Sequence, residues 1–182
     1  MSKVAAIDIG SNSLLLTIVE KANPYKILVD EANVTGLSKG LSQNGMIQPE
    51  RIEKSLQVFK KYRDLLDQYQ VSQITVAATE AMRKAKNGSE VKEKIESVLK
   101  LPVELISGER EAELSFWSVQ KEFSDPDTKK LVFDIGGAST ELAYGGKAGI
   151  ENRISLKVGS VLLTEKFDLK DKADGSAAKK YV

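Results

Sequence analysis

The sequence feature that most constrains the fold is a motif that occurs twice. Residues 4–15 read VAAIDIGSNSLL and residues 131–142 read LVFDIGGASTEL, so both contain an apolar residue followed by Asp-Ile-Gly-x-x-Ser, 126 residues apart. In each copy an apolar run leads into the Asp, a Gly-containing turn follows, and a second apolar run begins. This pattern predicts two strands joined by a tight turn. The repetition predicts two similar half-folds, each presenting one such hairpin to a shared cleft.

The residue types in each turn suit a bound phosphate group. Glycine has no Cβ, so phosphate oxygens can approach the backbone N–H groups closely, and hydroxyl side chains add donors. Asp8 and Asp134 stand at the strand ends, where each is expected to hold a hydrated Mg²⁺ beside those phosphates. A single Asp-x-Gly turn also occurs in ordinary hairpins, so the phosphate interpretation depends on the second copy. The candidate phosphate-binding residues are Gly10, Ser11, Ser13, Gly136, Gly137, Ser139 and Thr140.

The composition limits the available chemistry. The 182 residues, 41% of them hydrophobic, suit one ordinary domain or two small ones. The absence of Cys and His excludes disulfides, thiolate chemistry and the commonest general base, so acid–base work falls to carboxylates, Lys, Tyr or water. A metal site built from oxygen favours Mg²⁺, Ca²⁺ or Mn²⁺. The 27 basic and 26 acidic residues nearly balance, which argues against duplex nucleic acid as a partner.

Hydrophobic periodicity predicts an α/β fold with a mixed sheet and flanking helices. Period-two patterns predict three strands over residues 4–8, 13–20 and 25–34, and residues 35–46, which hold three glycines, are predicted to form a loop. Apolar residues at helical spacing predict a helix over residues 49–69, followed by a parallel strand at 71–78. A short helical turn at 79–87, a helix at 89–99 and a strand at 101–106 complete the first predicted lobe, and a helix then runs from Ser107-Gly108 to about Lys121.

The second motif begins a second predicted lobe. Asp125-Pro126-Asp127 is predicted to break the chain, which places the first lobe at residues 1–124 and the second at 128–182. A strand at 153–158 and a helix at 162–167 are expected, and residues 170–180 are expected to be frayed because they are polar. If the lobes are duplicates, the second is incomplete. The N-terminus lacks the pattern of a signal peptide and no apolar run is long enough to span a membrane, so a cytoplasmic protein is expected.

Five ordered motifs resemble a known family. They are DIGSNS at 8–13, ATEAMRKAKNG at 78–88, ISGEREA at 106–112, DIGGAST at 134–140 and KVGSVLLTEKF at 157–167. Together they resemble the exopolyphosphatase and guanosine pentaphosphate phosphohydrolase family. That family belongs to the superfamily of actin-like, sugar-kinase-like and heat-shock ATPases. The resemblance implies a ribonuclease H-like fold in each lobe, Mg²⁺-dependent hydrolysis of a phosphoanhydride, and a part in the stringent response. A homodimer is among the expected states.

The resemblance also implies residue roles. Glu111 matches the family's catalytic glutamate, which activates the attacking water, and Arg83 matches an arginine at the phosphate site. Asn12 joins the first phosphate loop, and Glu141 joins Asp8 and Asp134 as a metal-associated carboxylate. Two positions depart from the family pattern: Arg110 replaces an acidic residue, and Ala138 replaces a third glycine. If that backbone position needs a left-handed conformation, alanine costs about 1 kcal/mol there. The family's second lobe also continues past residue 182.

Three of the candidate residues have a structural alternative. Glu111 would serve as a capping-box residue if Gly108 were the N-cap of its helix. Arg83, beside Lys84 and Lys86, would be an ordinary charged surface residue, and Glu141 would be the outward residue of a half-buried strand.

The whole chain has alternatives too. The first is a non-catalytic phosphate- or nucleotide-binding module. The second is an ATP-using, kinase-like relative, which usually needs an adenosine-binding motif that this sequence lacks.

Overall fold

The computed structural model describes residues 2–123, 125, 127–167, 169 and 179. The chain divides into two compact units, Met1–Leu105 and Ile106–Val182. The boundary predicted from the sequence falls at residues 125–127, between lobes at 1–124 and 128–182. The compact unit begins earlier because the helix before that point packs on the strands after it. The prediction that residues 170–180 are frayed falls almost entirely outside the described residues.

The first unit is a five-stranded mixed sheet with helices. Its sheet order is β3-β2-β1-β4-β5; β1, β2 and β3 pair antiparallel, whereas β4 pairs parallel to β1 and to β5. The predicted meander and the predicted parallel strand are therefore confirmed. The elements are β1 (Lys3–Ile9), β2 (Ser13–Glu20), β3 (Lys26–Val34), α1 (Leu41–Asn44), α2 (Pro49–Gln68), β4 (Gln73–Ala78), α3 (Glu80–Lys84), α4 (Gly88–Leu99) and β5 (Glu104–Leu105).

One core holds this unit together. Alternate residues of β1 and β2 point into it, and α2 contributes its apolar stripe, including Phe59 and Tyr62, both fully buried. Val91 and Ile95 of α4 join them. The phenol of Tyr62 donates a 2.8 Å hydrogen bond to the Leu14 carbonyl, so its polar end is satisfied inside the core. The hydrophobic face of β1 and β2 is therefore covered by a helical layer.

Two short elements differ from the prediction. The predicted loop at residues 35–46 contains the one-turn helix α1, which lies between Gly40 and Gly45, both with positive φ. Glycine adopts this backbone conformation without strain, so the chain can turn at both ends of a single helical turn. The strand predicted over 101–106 is only two residues long. Pro102 has no N–H, so it cannot contribute a donor to the ladder.

The described residues of the second unit form two helices and a three-stranded antiparallel sheet of order β6-β7-β8. α5 packs on one face of the sheet through Ala112 and Phe116, which contact Val132 and Ala143. The strand predicted at 153–158 and the helix predicted at 162–167 both begin earlier than expected. The elements are α5 (Gly108–Glu122), β6 (Lys130–Ile135), β7 (Thr140–Gly146), β8 (Gly149–Leu156) and α6 (Ser160–Phe167).

The two copies of the motif differ in how their apolar faces are covered. In β1, Ala5, Ile7 and Ile9 are at most 7% exposed, whereas their repeat counterparts Leu131, Phe133 and Ile135 are 55%, 58% and 70% exposed. The first unit covers this face with α2 and α4, and the described part of the second unit has no corresponding layer. This difference fits an incomplete second lobe. Within the described parts of the chain, no helix has the length and apolar character needed to cross a membrane.

Candidate functional site

The two repeated motifs form hairpins with the same local geometry. Gly10 N–H donates to the Ser13 carbonyl at 3.0 Å, and Gly136 N–H donates to the Ser139 carbonyl at 2.9 Å. Each bond closes a turn of two residues. A Cβ on Gly10 would lie 2.8 Å from the Ser13 oxygen, so glycine is required there by close backbone approach. The predicted strand–turn–strand units are confirmed, but these two N–H groups already have partners within their own hairpins.

The first hairpin is supported by the chain that follows β3. The Asn12 carbonyl accepts hydrogen bonds from the N–H groups of Thr35 (3.0 Å) and Gly36 (2.8 Å), and the Ser11 carbonyl accepts one from Ser38 N–H at 2.8 Å. These bonds occupy the two turn carbonyls. The turn is therefore held in one conformation by backbone bonds from outside the hairpin.

The second hairpin is supported in the same way by the start of α6. The N–H groups of Val161 and Leu162 donate to the Gly137 carbonyl at 2.9 and 3.0 Å, and Ser160 N–H donates to the Gly136 carbonyl at 3.0 Å. A Cβ on Gly159 would lie 2.5 Å from the carbonyl carbon and oxygen of Gly137, so only glycine fits. This contact explains the glycine at position 159 of the fifth sequence motif.

Ala138 does not strain the second turn. Among the described residues other than glycine, only Gln70 and Lys100 have positive φ. The position of Ala138 therefore needs no left-handed backbone, and the conditional cost of about 1 kcal/mol does not apply.

The remaining turn residues differ in exposure. Ser11 and Ser139 are buried, at 6% and 3% exposure, whereas Asp8 is exposed. Asn12, Ser13, Gly136, Gly137 and Thr140 are half-buried. The Thr140 hydroxyl donates to the Val158 carbonyl at 2.6 Å, so it connects the hairpin to the chain that follows β8.

The helix that carries Glu111 begins one residue earlier than the capping-box alternative requires. Its N-cap is Ser107, whose hydroxyl accepts a hydrogen bond from Arg110 N–H at 3.1 Å. The capping-box position is therefore Arg110, and the interpretation of Glu111 as the capping-box partner of Gly108 is wrong. Arg110 forms a 3.0 Å ion pair with Glu113 on the helix surface.

One face of α5 meets the second hairpin at two points. Gly108, Glu111 and Ser115 share this face because they are three and four residues apart. The Ser115 hydroxyl donates a short hydrogen bond to Asp134. A Cβ on Gly108 would lie only 2.3 Å from the hydroxyl oxygen of Ser155 and 3.7 Å from Glu141 Oε1. Glu111 lies between these two contacts, and its Oε2 atom is buried.

Glu141 is a buried carboxylate of this group. It is 2% exposed, and its Oε1 accepts a hydrogen bond from the Ser155 hydroxyl at 2.7 Å. Asp134 and Glu141 are cross-strand partners in the β6–β7 ladder. The alternative that Glu141 is an outward-facing strand residue is therefore wrong, because it lies on the face that α5 covers.

The carboxylates proposed as metal ligands are compatible with Mg²⁺, but they do not form a complete coordination site by themselves. Across the described residues, no three Asp or Glu side chains converge as a group that could hold a metal ion. Mg²⁺ is usually bound through one or two carboxylates, with water and substrate phosphate supplying the other ligands. Asp134 and Glu141, adjacent in the ladder, meet that lower requirement with oxygen donors. Asp8 lies at the corresponding position of the first unit.

Arg83 is held in an ion-pair cluster of the first unit. Its Nε and Nη2 atoms donate to Glu80 Oε2, at 3.1 and 2.5 Å, and Lys84 Nζ lies 2.9 Å from Glu80 Oε1. Burial raises the pKa of Glu80, but hydrogen bonds from Lys84 and Arg83 outweigh that effect and lower its pKa overall. Arg83 is thus not an isolated surface cation.

Sequence reasoning missed Glu80, Ser115 and Ser155. Glu80 lies within the second sequence motif, three residues before Arg83, so the spacing of an ion pair on a helix was a usable signal. Ser115 appears in the sequence as part of the small polar face around Glu111. Ser155 gives no local signal, because its partner belongs to another strand.

Similarity to known proteins agrees with this geometry. The Ppx/GppA phosphatase family matches residues 7–181. The chain is 40% identical over 178 residues to the bifunctional 3-dehydroquinate synthase/phosphatase of Fusobacterium nucleatum, which covers 92% of this chain and 27% of that protein.

Solved structures give the same result. The chain is similar to the Aquifex aeolicus member of the Ppx/GppA family (35% identity, TM-score 0.80) and to an exopolyphosphatase from Cytophaga hutchinsonii (32% identity, TM-score 0.90). These alignments cover 99% and 98% of this chain but 59% and 58% of the other chains. The chain therefore spans little more than half the length of these relatives.

A more distant likeness concerns the fold alone. MreB5 of Spiroplasma citri, solved bound to ADP, is 13% identical with a TM-score of 0.50 over 94% of this chain. The predicted actin-like, mixed α/β fold class is confirmed. Because the family match extends over almost the whole sequence, this chain belongs to the Ppx/GppA phosphatase family.

Proposed function

We propose that this chain carries the phosphate-binding and water-activating residues of a hydrolase that removes the terminal phosphate of inorganic polyphosphate, guanosine pentaphosphate, or both. Family membership supports a phosphatase in general terms. Because the relatives are much longer than the matched region, the substrates and the activity of this chain are part of what we propose.

One observation carries the assignment of roles. The face of α5 that holds Glu111 is fixed onto the second hairpin on both sides, by Ser115 at Asp134 and by the contact of Gly108 with Ser155 beside Glu141. This arrangement puts a carboxylate with a buried oxygen beside a hairpin of the kind proposed to bind phosphate. In a protein without histidine, a carboxylate is the natural general base for water.

The proposed reaction is an in-line attack of water on the terminal phosphorus. Glu111 accepts the proton of that water, and the bond to the bridging oxygen of the phosphate chain breaks. Turn residues of each hairpin bind phosphate oxygens, and Arg83 neutralises charge that develops on the transferred group. We propose Asp8, Asp134 and Glu141 as the residues that would hold Mg²⁺, which when bound supplies charge neutralisation on phosphate oxygens.

The decisive test compares two glutamates in the first turn of α5. Phosphate release from long-chain polyphosphate and from guanosine pentaphosphate is measured with and without Mg²⁺. Glu111→Gln should lower kcat by about 10²- to 10⁴-fold, the usual contribution of a general base. Glu109→Gln is the matched control, because Glu109 lies in the same helical turn but is exposed. Its carboxylate forms a surface ion pair with Arg153, with 3.7 Å between Glu109 Oε2 and Arg153 Nε. A Glu111→Gln protein that turns over at the wild-type rate contradicts the mechanism.

A binding function without turnover gives a different result. In that case calorimetry detects binding of polyphosphate to the wild-type chain, while no phosphate is released in the presence of Mg²⁺. Competition by ATP against polyphosphate would favour the kinase-like alternative.

A further inference from the structure

Glu80 is a buried glutamate that accepts hydrogen bonds from Arg83, the arginine proposed to contact phosphate. Glu80 is 7% exposed, although it lies in the first turn of the five-residue helix α3. Both of its carboxylate oxygens have cationic partners: Oε2 accepts hydrogen bonds from Nε and Nη2 of Arg83, and Oε1 pairs with Lys84 Nζ. The spacings of three and four residues bring all three side chains to one side of the helical turn.

The burial of Glu80 distinguishes this cluster from an ordinary surface ion pair. An exposed pair gains little because both side chains must give up mobility and water screens the charges. A buried carboxylate, in contrast, depends on its partners, since an uncompensated charge away from water is unfavourable. The lowered pKa of Glu80 reflects this dependence, because hydrogen bonds from Lys84 and Arg83 outweigh the opposing effect of burial. The planar guanidinium of Arg83 is therefore fixed in orientation along its Nε–Nη2 edge.

The cluster is attached to the end of the strand that leads into the first hairpin. Thr79 N–H donates to the Ile9 carbonyl at 3.2 Å, and Arg83 N–H donates to the Thr79 carbonyl, also at 3.2 Å. Ile9 directly precedes Gly10, the first residue of the turn. Backbone bonds thus connect the helical turn that carries Arg83 to the proposed phosphate-binding hairpin of the same unit.

We propose that Glu80 is a positioning residue: it holds the Arg83 guanidinium in the orientation in which Arg83 binds a phosphate group. This inference rests on the proposed function, in which Arg83 contacts phosphate. For the effect of Glu80 removal on phosphate affinity, the inference predicts a change opposite in sign to that expected from simple electrostatics. Removing a negative charge beside the site should strengthen anion binding if charge alone matters. Removing an orienting partner should weaken it, because Arg83 must then be ordered during binding.

The experiment measures the affinity of the 182-residue chain for tripolyphosphate by isothermal titration calorimetry at low ionic strength. The variants are Glu80→Gln, Glu80→Asp, Arg83→Gln and the double variant Glu80→Gln/Arg83→Gln. Glu80→Asp keeps the charge but shortens the side chain by one methylene group. Glu90→Gln, at an exposed position in the first turn of α4, removes the same charge elsewhere in the unit and is the matched control. Circular dichroism verifies that each variant is folded.

Positioning predicts a specific pattern. Arg83→Gln should weaken binding by about 10- to 100-fold, as expected for loss of a charge-assisted hydrogen bond. Glu80→Gln and Glu80→Asp should each weaken it by about three- to tenfold, and the double variant should bind like Arg83→Gln alone. Glu90→Gln should leave the affinity unchanged.

Other patterns overturn the inference and identify what failed. If Arg83→Gln weakens binding but Glu80→Gln leaves it unchanged or tighter, or if the two effects add, Glu80 does not act through Arg83. If Glu80→Gln does not fold, the same decision is made from Glu80→Asp, which positioning predicts to bind more weakly. If Arg83→Gln has no effect, or wild-type protein does not bind, the proposed phosphate role fails and this inference fails with it.

Discussion

The substitution Gly108→Ala tests how closely α5 packs on the second hairpin and on Ser155 of β8. At an exposed helical position the change from Gly to Ala stabilises a helix by up to about 1 kcal/mol. Here the new Cβ would lie 2.3 Å from the hydroxyl oxygen of Ser155 and 2.4 Å from its Cβ. Rotation of the Ser155 side chain relieves the first contact but not the second, so α5 or β8 must move.

The expected cost follows from these contacts. Overpacking of this kind costs about 1–3 kcal/mol. Displacement of Ser155 also weakens its hydrogen bond to the buried Glu141, a bond class that contributes about 1.5–3 kcal/mol when one partner is charged. After subtraction of the helix-propensity gain, we expect a net loss of about 1–3 kcal/mol in the free energy of unfolding of the second unit.

The assay is urea unfolding followed by the fluorescence of Trp117, the only tryptophan in the sequence, which lies on α5. Its signal reports on the second unit even if the units unfold separately. In a Ser155→Gly background the same Gly108→Ala change should be neutral or stabilising, a coupling of at least about 1 kcal/mol. Equal effects of Gly108→Ala in both backgrounds, or stabilisation in the wild type, would refute the close contact.

Three further predictions follow from the fold and its ion pairs. Gly159→Ala should cost at least about 2 kcal/mol by Trp117 fluorescence, because its Cβ would meet backbone atoms of Gly137 at 2.5 Å and backbone cannot rotate away. Ile9→Ala should lower the free energy of unfolding by about 2–5 kcal/mol, measured by urea unfolding followed by circular dichroism, because Ile9 is fully buried. Its repeat counterpart Ile135→Ala should cost less than about 1 kcal/mol, because Ile135 is 70% exposed. Equal costs would contradict the difference in burial between the two strands. Glu80 has a lowered pKa in the folded chain, so its contribution to stability is present above its ordinary pKa of 4.5 and is lost as the pH falls through the lowered pKa. The Glu80→Gln variant should therefore lose less stability than the wild type on acidification. An unchanged dependence of stability on pH would contradict this assignment.

Much of the fold could be predicted because its signals are local. The hairpins follow from alternating apolar runs on either side of a glycine turn, and α2 follows from an apolar stripe within one stretch of 20 residues. Gly40 and Gly45 signal turns in the sequence, but the single helical turn between them depends on where the chain goes next. The sequence leaves the N-cap of α5 open between two neighbouring residues, since both Ser107 and Gly108 are acceptable N-caps and only the hydrogen bond from Arg110 N–H to the Ser107 hydroxyl distinguishes them.

The candidate site was only partly predictable. Glu111 and Asp134 were found from motifs, but the bonds that fix their surroundings join residues distant in sequence. The contact of Ser115 with Asp134 requires α5 to pack on β6, and the contact of Ser155 with Glu141 requires the register of β7 against β8. No local pattern encodes either pairing. For the same reason the burial of Glu141 could not be read from strand alternation, which does not reveal which face a helix will cover.

By itself, the sequence determined that this protein contains two related strand–turn–strand units, that it has no histidine or cysteine side chain for catalysis, and which family its ordered motifs resemble. These properties depend on residue identity and short-range spacing. The tertiary structure alone decided that α5, which carries Glu111, packs on the second hairpin through Gly108 and Ser115, and that the buried Glu80 accepts hydrogen bonds from Arg83. It also decided that Ala5, Ile7 and Ile9 of β1 are buried, whereas no described residues bury their repeat counterparts Leu131, Phe133 and Ile135, because burial depends on which elements pack together.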